Sequence, residues 1–175
     1  MLKKILKNLR FTLLRLTKYR TVIFGRDVYI GKGTHIRPHS TTFGDNVSIG
    51  HYCRFEARHI EVGNFVMMAA HVGIIDRDAH DARTVGKPFI ETGPEVGQPV
   101  IIESDVWIGF GAIILSGVTV GRGSIIAAGS IIVDDVPPYS IAASAKATVI
   151  AQRFDAKTSQ EHEATLRAYY DQCYR

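Results

Sequence analysis

At 175 residues the chain has the length of one domain, and its 46% hydrophobic content is that of a globular protein rather than a disordered or fibrous one. The formal charge of +4 does not describe a nucleic-acid-binding surface, because Lys3, Lys4, Lys7, Arg10, Arg15, Lys18 and Arg20 all lie at the N-terminus, and without these seven the body carries about −3. Only two cysteines occur, Cys53 and Cys173, which excludes a disulfide framework and fits a reducing, cytoplasmic setting.

Residues 1–21 predict a basic amphipathic helix. Leu2, Ile5, Leu6, Leu9, Leu13 and Leu16 fall on one helical face with the cations opposite. Charges interrupt every apolar run, so the segment neither spans a bilayer nor has the apolar core and small-residue cleavage site of a signal peptide. Three readings stay open: it covers one end of the main body, packs on a partner subunit, or makes a peripheral contact with the inner face of an anionic membrane.

From Phe24 a six-residue beat begins. It runs Phe24, Ile30, Ile36, then Phe43, Ile49, Phe55, then Val62, Met68, Ile74, with one extra residue at each join. After an interruption it continues in strict register as Ile102, Ile108, Ile114, Val120, Ile126 and Ile132. Glycine follows many beats, as at Gly25, Gly31, Gly44, Gly50, Gly63, Gly109 and Gly121, and two residues before the beat stands a small or β-branched residue such as Val28, Thr34, Val47, Cys53, Val106 or Ser124. A period of six matches neither the helix nor an open sheet and predicts an all-β solenoid. Two inward positions per six suit a triangular coil, with glycine relieving crowding where the backbone turns. Three sides per coil give about five coils over residues 22–150, a stack about 24 Å tall at ~4.8 Å per layer. Cys53 then reads as a packing residue.

The interruption, about residues 77–98, departs from the pattern at position 80, where the next beat would be aliphatic and the chain has His80. A loop of this length in a compact repeat is usually functional. Acyl transfer to an alcohol or amine needs a base beside the acceptor, and neutral imidazole suits it. His80 is the candidate, with Asp76, Asp78 and Asp81 around it and Asp78 favoured to orient the ring. His35, His39, His51, His59 and His71 occupy outward coil positions; His71 is the runner-up because it immediately precedes the loop. Residues 151–175 predict a C-terminal helix that caps the stack, starting with the capping-box spacing Thr158 to Glu161 and carrying Leu166, Tyr169, Tyr170 and Cys173 on one face.

The segments Asp105-Val-Trp-Ile-Gly109, Leu115-Ser-Gly-Val-Thr-Val-Gly121, Ala128-Gly-Ser-Ile131 and Val136-Pro-Pro-Tyr-Ser140 resemble the hexapeptide-repeat acyltransferases, the superfamily of galactoside, serine and xenobiotic acetyltransferases. The resemblance covers about residues 24–156. It implies a left-handed parallel β-helix, a homotrimer, and acetyl-CoA as co-substrate lying in a groove between subunits. It places His80 where the family has its catalytic histidine, and Phe110 and Ala128 where the groove is lined. Trp107 stands at the signature aromatic, with a donor or an interface role.

The chain departs from the family's pattern at Asp134 and Thr148, each of which replaces a common cation, so Lys146 or Arg153 is expected to meet the CoA phosphates. The implied acceptor is a sugar or glycolipid hydroxyl in surface-polysaccharide assembly. Transfer to an amino sugar, or a non-catalytic scaffold, are the alternatives. A metal-dependent relative on this scaffold uses two histidines five residues apart; no such pair occurs here, and no metal is expected.

Overall fold

The computed structural model describes residues 19–37, 40–75, 97–144 and 148–173. The basic segment through residue 18, His39, the loop bearing Asp78 and His80, and Lys146 lie outside the described residues.

The chain winds through five coils of three short strands. The first coil is β1 (Val22–Phe24), β2 (Tyr29–Ile30) and β3 (His35–Ile36); the second is β4 (Ser40–Phe43), β5 (Ser48–Ile49) and β6 (Arg54–Phe55). The third is β7 (His59–Val62), β8 (Met67–Met68) and β9 (Gly73–Ile75); the fourth is β10 (Val100–Ile102), β11 (Trp107–Ile108) and β12 (Ile113–Leu115). The fifth is β13 (Thr119–Val120), β14 (Ile125–Ile126) and β15 (Ile131–Ile132). Like sides stack into three sheets: sheet A is β1-β4-β7-β10-β13, sheet C is β3-β6-β9-β12-β15, and sheet B starts β2-β5-β8-β11-β14. Every pairing between coils is parallel, as in Trp107 opposite Met67 and Ile125. The expected β-solenoid is thus present, in the form of the left-handed helix that the resemblance implies.

The beat explains the core. All its residues from Phe24 to Ile132 are at most 7% exposed, and the residues two positions earlier are buried with them. The lower coils are filled by aromatics, with Phe24 stacked on Phe43 at 5.3 Å and Phe43 edge-on to Phe55 at 5.5 Å, and the upper coils by isoleucine and valine. Tyr19, 2% exposed, closes the lower end by lying edge-on to Phe24 at 6.0 Å and donating its hydroxyl to the Thr34 carbonyl at 3.2 Å. The glycine after the beat answers to the next coil: a Cβ at Gly50 would lie 2.5 Å from the carbonyl carbon of Ala69, and one at Gly109 2.5 Å from the Ala128 nitrogen.

Above the fifth coil a partial sixth turn begins, with Val136 bridging to Val120 and β16 (Ser140–Ala143) extending sheet B. Periodicity does not reveal the next strand. β17 (Thr148–Gln152) turns back antiparallel on β16 and covers the upper edge of sheet B, satisfying a row of strand groups that would otherwise invite pairing.

α1 (Ala156–Cys173) comes next. Its N-cap is Asp155, whose carboxylate accepts the Thr158 amide at 2.7 Å. The expected cap at Thr158 therefore shifts three residues earlier, because a short acidic side chain just outside the first turn reaches that amide first. The helix seats against the corner between sheets A and B. The side chains of Leu166, Tyr169, Tyr170 and Cys173 lie outside the described ones. No helix among the described residues is long and apolar enough to cross a membrane.

Candidate functional site

The three corners of the prism differ. At the B–C corner each coil contributes one residue with positive φ: Gly33, Tyr52, His71, Gly111 and Gly129. Their amides donate to the coil below, from Tyr52 to Lys32, His71 to His51, Gly111 to Ala70 and Gly129 to Phe110, at 2.8–3.1 Å. This register puts Phe110 and Ala128 on successive rungs of one exposed corner. Phe110 is 57% exposed, and Trp107, three residues before it on the outer face of sheet B, is 49% exposed beside Met67. Beyond Ala128 the corner continues to Ser144, whose carbonyl accepts the Ile131 amide at 3.2 Å. Lys146, two residues on, is outside the described residues.

Arg153 stands elsewhere. It sits at the A–B corner, where its guanidinium donates to the Asp105 carboxylate at 2.7 Å and the Gly123 carbonyl at 3.1 Å and lies 4.6 Å over the Phe154 ring. His162 of α1 meets the same Asp105 oxygen at 2.8 Å, and Arg122 pairs with Glu163 at 3.4 Å. These contacts fasten the helix to the stack, and sheet B separates Arg153 from Phe110 and Ala128. The cluster is hard to see in the sequence because its members lie 48 and 57 residues apart along the chain; the acid of the Asp105-Val-Trp-Ile-Gly109 segment is the available signal.

The long loop leaves and returns at the C–A corner. Ile75 ends β9 with its carbonyl accepting the Ser116 amide at 2.9 Å, and the returning chain is held where the Gly117 amide meets the Gln98 and Pro99 carbonyls at 3.3 and 3.1 Å. Both feet of the loop are thus fixed on rigid coils, although His80 and Asp78 themselves lie outside the described residues. The runner-up His71 is exposed at the B–C corner with its ring between Tyr52 and Phe110, at 5.4 and 5.2 Å. Cys53 is fully buried, its thiol facing the Ala69 carbonyl at 3.2 Å, and burial pushes its pKa up, which makes it an inert packing group. Among the described residues no cluster of three or more His, Cys, Asp or Glu side chains is placed to hold a metal.

Comparison with known proteins agrees with the hexapeptide-repeat fold. The profile of bacterial transferase hexapeptides (six repeats) matches residues 99–134. A probable acetyltransferase of Mycobacterium tuberculosis (strain ATCC 25618 / H37Rv) is 36% identical over 147 residues, 82% of this chain. The chain spans 47% of that relative's length. Among solved structures, a maltose O-acetyltransferase from Clostridium difficile 630 superposes with a TM-score of 0.54 at 28% identity, over 78% of this chain and 66% of that one. A hexapeptide-repeat acetyltransferase from Vibrio cholerae O1 biovar eltor, complexed with acetyl coenzyme A, gives 0.52 at 26% identity, over 78% of this chain and 62% of that one. The resemblance to hexapeptide-repeat acyltransferases is borne out.

Proposed function

We propose that this hexapeptide-repeat protein is an acyltransferase that moves an acetyl group from acetyl-CoA to a hydroxyl of a sugar or glycolipid precursor. The observation that carries the reading is the B–C corner, where Phe110 and Ala128 form successive exposed rungs of a rigid stack. A pantetheine arm is long, flexible and mostly amide and methylene, so a straight corner with apolar side chains and regularly spaced backbone groups suits it. Similarity to an acetyltransferase complexed with acetyl coenzyme A supports the donor, and similarity to a maltose O-acetyltransferase supports a sugar acceptor.

In this reading His80 takes the proton from the acceptor oxygen as that oxygen attacks the thioester carbonyl. Asp78 orients the ring, and the CoA thiolate leaves and collects a proton. The loop starts and returns at ends held on rigid coils, Ile75 to Ser116 and Gln98 and Pro99 to Gly117, which supports a base anchored to the scaffold. The subunits act as a homotrimer, and residues 1–21 hold the enzyme at the cytoplasmic membrane face near a lipid-linked acceptor. Lys146, two residues after Ser144 in the sequence, is the better candidate for the CoA phosphates, since Arg153 is engaged by Asp105.

The test is release of free CoA from acetyl-CoA across monosaccharides, amino sugars and nucleotide sugars, with the product identified by mass. His80→Ala and His80→Asn should fold normally by circular dichroism and lose at least 100-fold in turnover, as expected on removal of a general base. Near-normal turnover in either variant removes His80 from the mechanism, and failure to bind acetyl-CoA removes the donor reading. Light scattering that gives an active monomer contradicts the trimer.

A further inference from the structure

Tyr52 and His71 sit where the backbone turns left-handed, with φ 57 and 61, while the other three rungs of the B–C corner carry glycine. Aromatic side chains are costly there. The same device recurs at the A–B corner, where Phe65 (φ 59) and Tyr139 (φ 56) also have positive φ. That corner has a roof: α1 lies over it, and a cleft of about 250 Å³ is lined by Phe65, Tyr139, Glu163 and Arg167 together with the corner backbone. At the B–C corner no described element covers Tyr52, His71 or Phe110, and Tyr52 and Phe110 remain 54% and 57% exposed.

The three rings form a staircase. Tyr52 lies over Gly33, where a Cβ would be 2.4 Å from the ring. His71 stacks on Tyr52 with centroids 5.4 Å apart and planes 21° apart, and Phe110 meets His71 at 5.2 Å and 60°. Centroids this far apart in nearly parallel planes mean an offset stack, so part of each π-face stays open. Polar groups flank the stairs. The Tyr52 hydroxyl and the His71 ring nitrogens bond no other described residue, and His51, whose Nδ1 accepts the Lys32 amide at 2.8 Å, is left with its protonated Nε2 as a donor.

We infer that this staircase is the acceptor platform: the apolar face of a pyranose ring rests on Tyr52 and His71 while its hydroxyls meet the Tyr52 hydroxyl and the His51 and His71 rings. The inference rests on the acyl-transfer reading above and deepens it. A pyranose matches the surface on both counts. Its axial C–H groups carry slight positive charge that complements the negative π-face, and its hydroxyls both donate and accept, as the flanking phenol and imidazoles require. The platform covers about two coil spacings, ~10 Å, and Phe110 joins it to the Ala128 rung, so acceptor and donor would share one corner end to end.

Saturation-transfer NMR with maltose, methyl β-glucoside and glucosamine tests this without turnover, using the full-length wild type, Tyr52→Leu and His71→Ala. Transfer from aromatic protons to the C–H protons of one ring face, lost in Tyr52→Leu, supports the platform. In the kinetic assay Tyr52→Leu should raise the acceptor KM about threefold to tenfold, the worth of one aromatic contact, with the acetyl-CoA KM unchanged. Absence of transfer to any of the three probes, or equal transfer in both variants, overturns the platform. So does a change of oligomeric mass in Tyr52→Leu with saccharide binding intact, since the corner then belongs to an interface between copies. Lost acetyl-CoA binding with saccharide transfer preserved would instead refute the donor reading and leave the platform standing.

Discussion

Replacing Thr41 with valine should make the protein more stable. Thr41 points into the prism from sheet A, in a column that otherwise holds only aliphatic side chains: Val22 and Ile60 are its register partners, with Val100 beyond Ile60. It is 1% exposed, and its hydroxyl oxygen has no hydrogen-bond partner among the described residues. Valine keeps the shape, removes a desolvated hydroxyl costing ~1–3 kcal/mol, and adds a methyl in apolar surroundings. The expected gain is ~1–2 kcal/mol, and each kcal/mol raises Tm by about 2–4 °C at this chain length.

The control is Thr34, an equally buried threonine on the next side of the prism. Its hydroxyl donates to the Gly50 carbonyl at 2.8 Å and accepts the Cys53 amide at 3.2 Å. Thr34→Val breaks both bonds and should cost ~1–3 kcal/mol. Scanning calorimetry and urea titration of the two variants at one protein concentration would compare them. If Thr41→Val is destabilised as much as Thr34→Val, the accounting of buried hydroxyls in this core is wrong.

Asp155 gives a pH-dependent prediction. The amide of Thr158 holds its carboxyl below the ordinary aspartate range, so the cap contributes fully above the unfolded aspartate pKa near ~4 and is lost as pH falls through the depressed native value. Asp155→Ala should lower the helical circular dichroism signal at neutral pH and remove its acid-side decline. In a Cys173→Ser background, Cys53 should resist iodoacetamide at pH 8 and react only as fast as the protein unfolds, because burial raises its pKa and no surface reaches it. Gly50→Ala should destabilise strongly by pushing against the Ala69 backbone. Gly111→Ala has open space and should lose only the ~1–2 kcal/mol of its left-handed φ of 67, a ranking that urea midpoints would check.

The core is legible in the sequence because one rule repeats. Each coil meets the same environment, so Phe24 through Ile132 declare themselves by period alone, and the residue two places earlier goes with each of them. What ends the stack has no period. Tyr19 as the lower plug, β17 reversing onto β16, and α1 held by Asp105 through Arg153 and His162 each depend on contacts made once, between residues far apart in the chain. The site divides in the same way. Phe110 and Ala128 come together because they occupy the same place in successive coils, whereas Arg153 lies past the last coil and is drawn to an acid at another corner. The Tyr52–His71–Phe110 staircase is hidden because the outward positions of a coil are free to vary. His59 and His71 read alike in sequence, yet one pairs with Glu61 at 2.7 Å and the other lies between two rings.

The A–B corner also gives the stack a direction. There the Arg26 amide donates to the Asp45 side chain, the Asp45 amide to Asn64 and the Asn64 amide to Ser104, so at three successive rungs the corner amide is served by a side chain from the coil after it. At the top the sense reverses: above Arg122 comes Pro138, and the Arg122 amide turns down to Glu103 instead, at 2.7 Å. Removing the coil above any of these three rungs strands the corner amide, whereas removing the coil below frees the side-chain acceptor and strands the amides that donate downward, as Asn46 does to Arg26 and Phe65 to Asp45. A chain emerging N-terminus first would carry this corner amide unmet until the next coil arrives, together with strand amides such as those of Gly25 and Tyr29 that also donate upward, while at Arg122 the corner amide is met from below by Glu103.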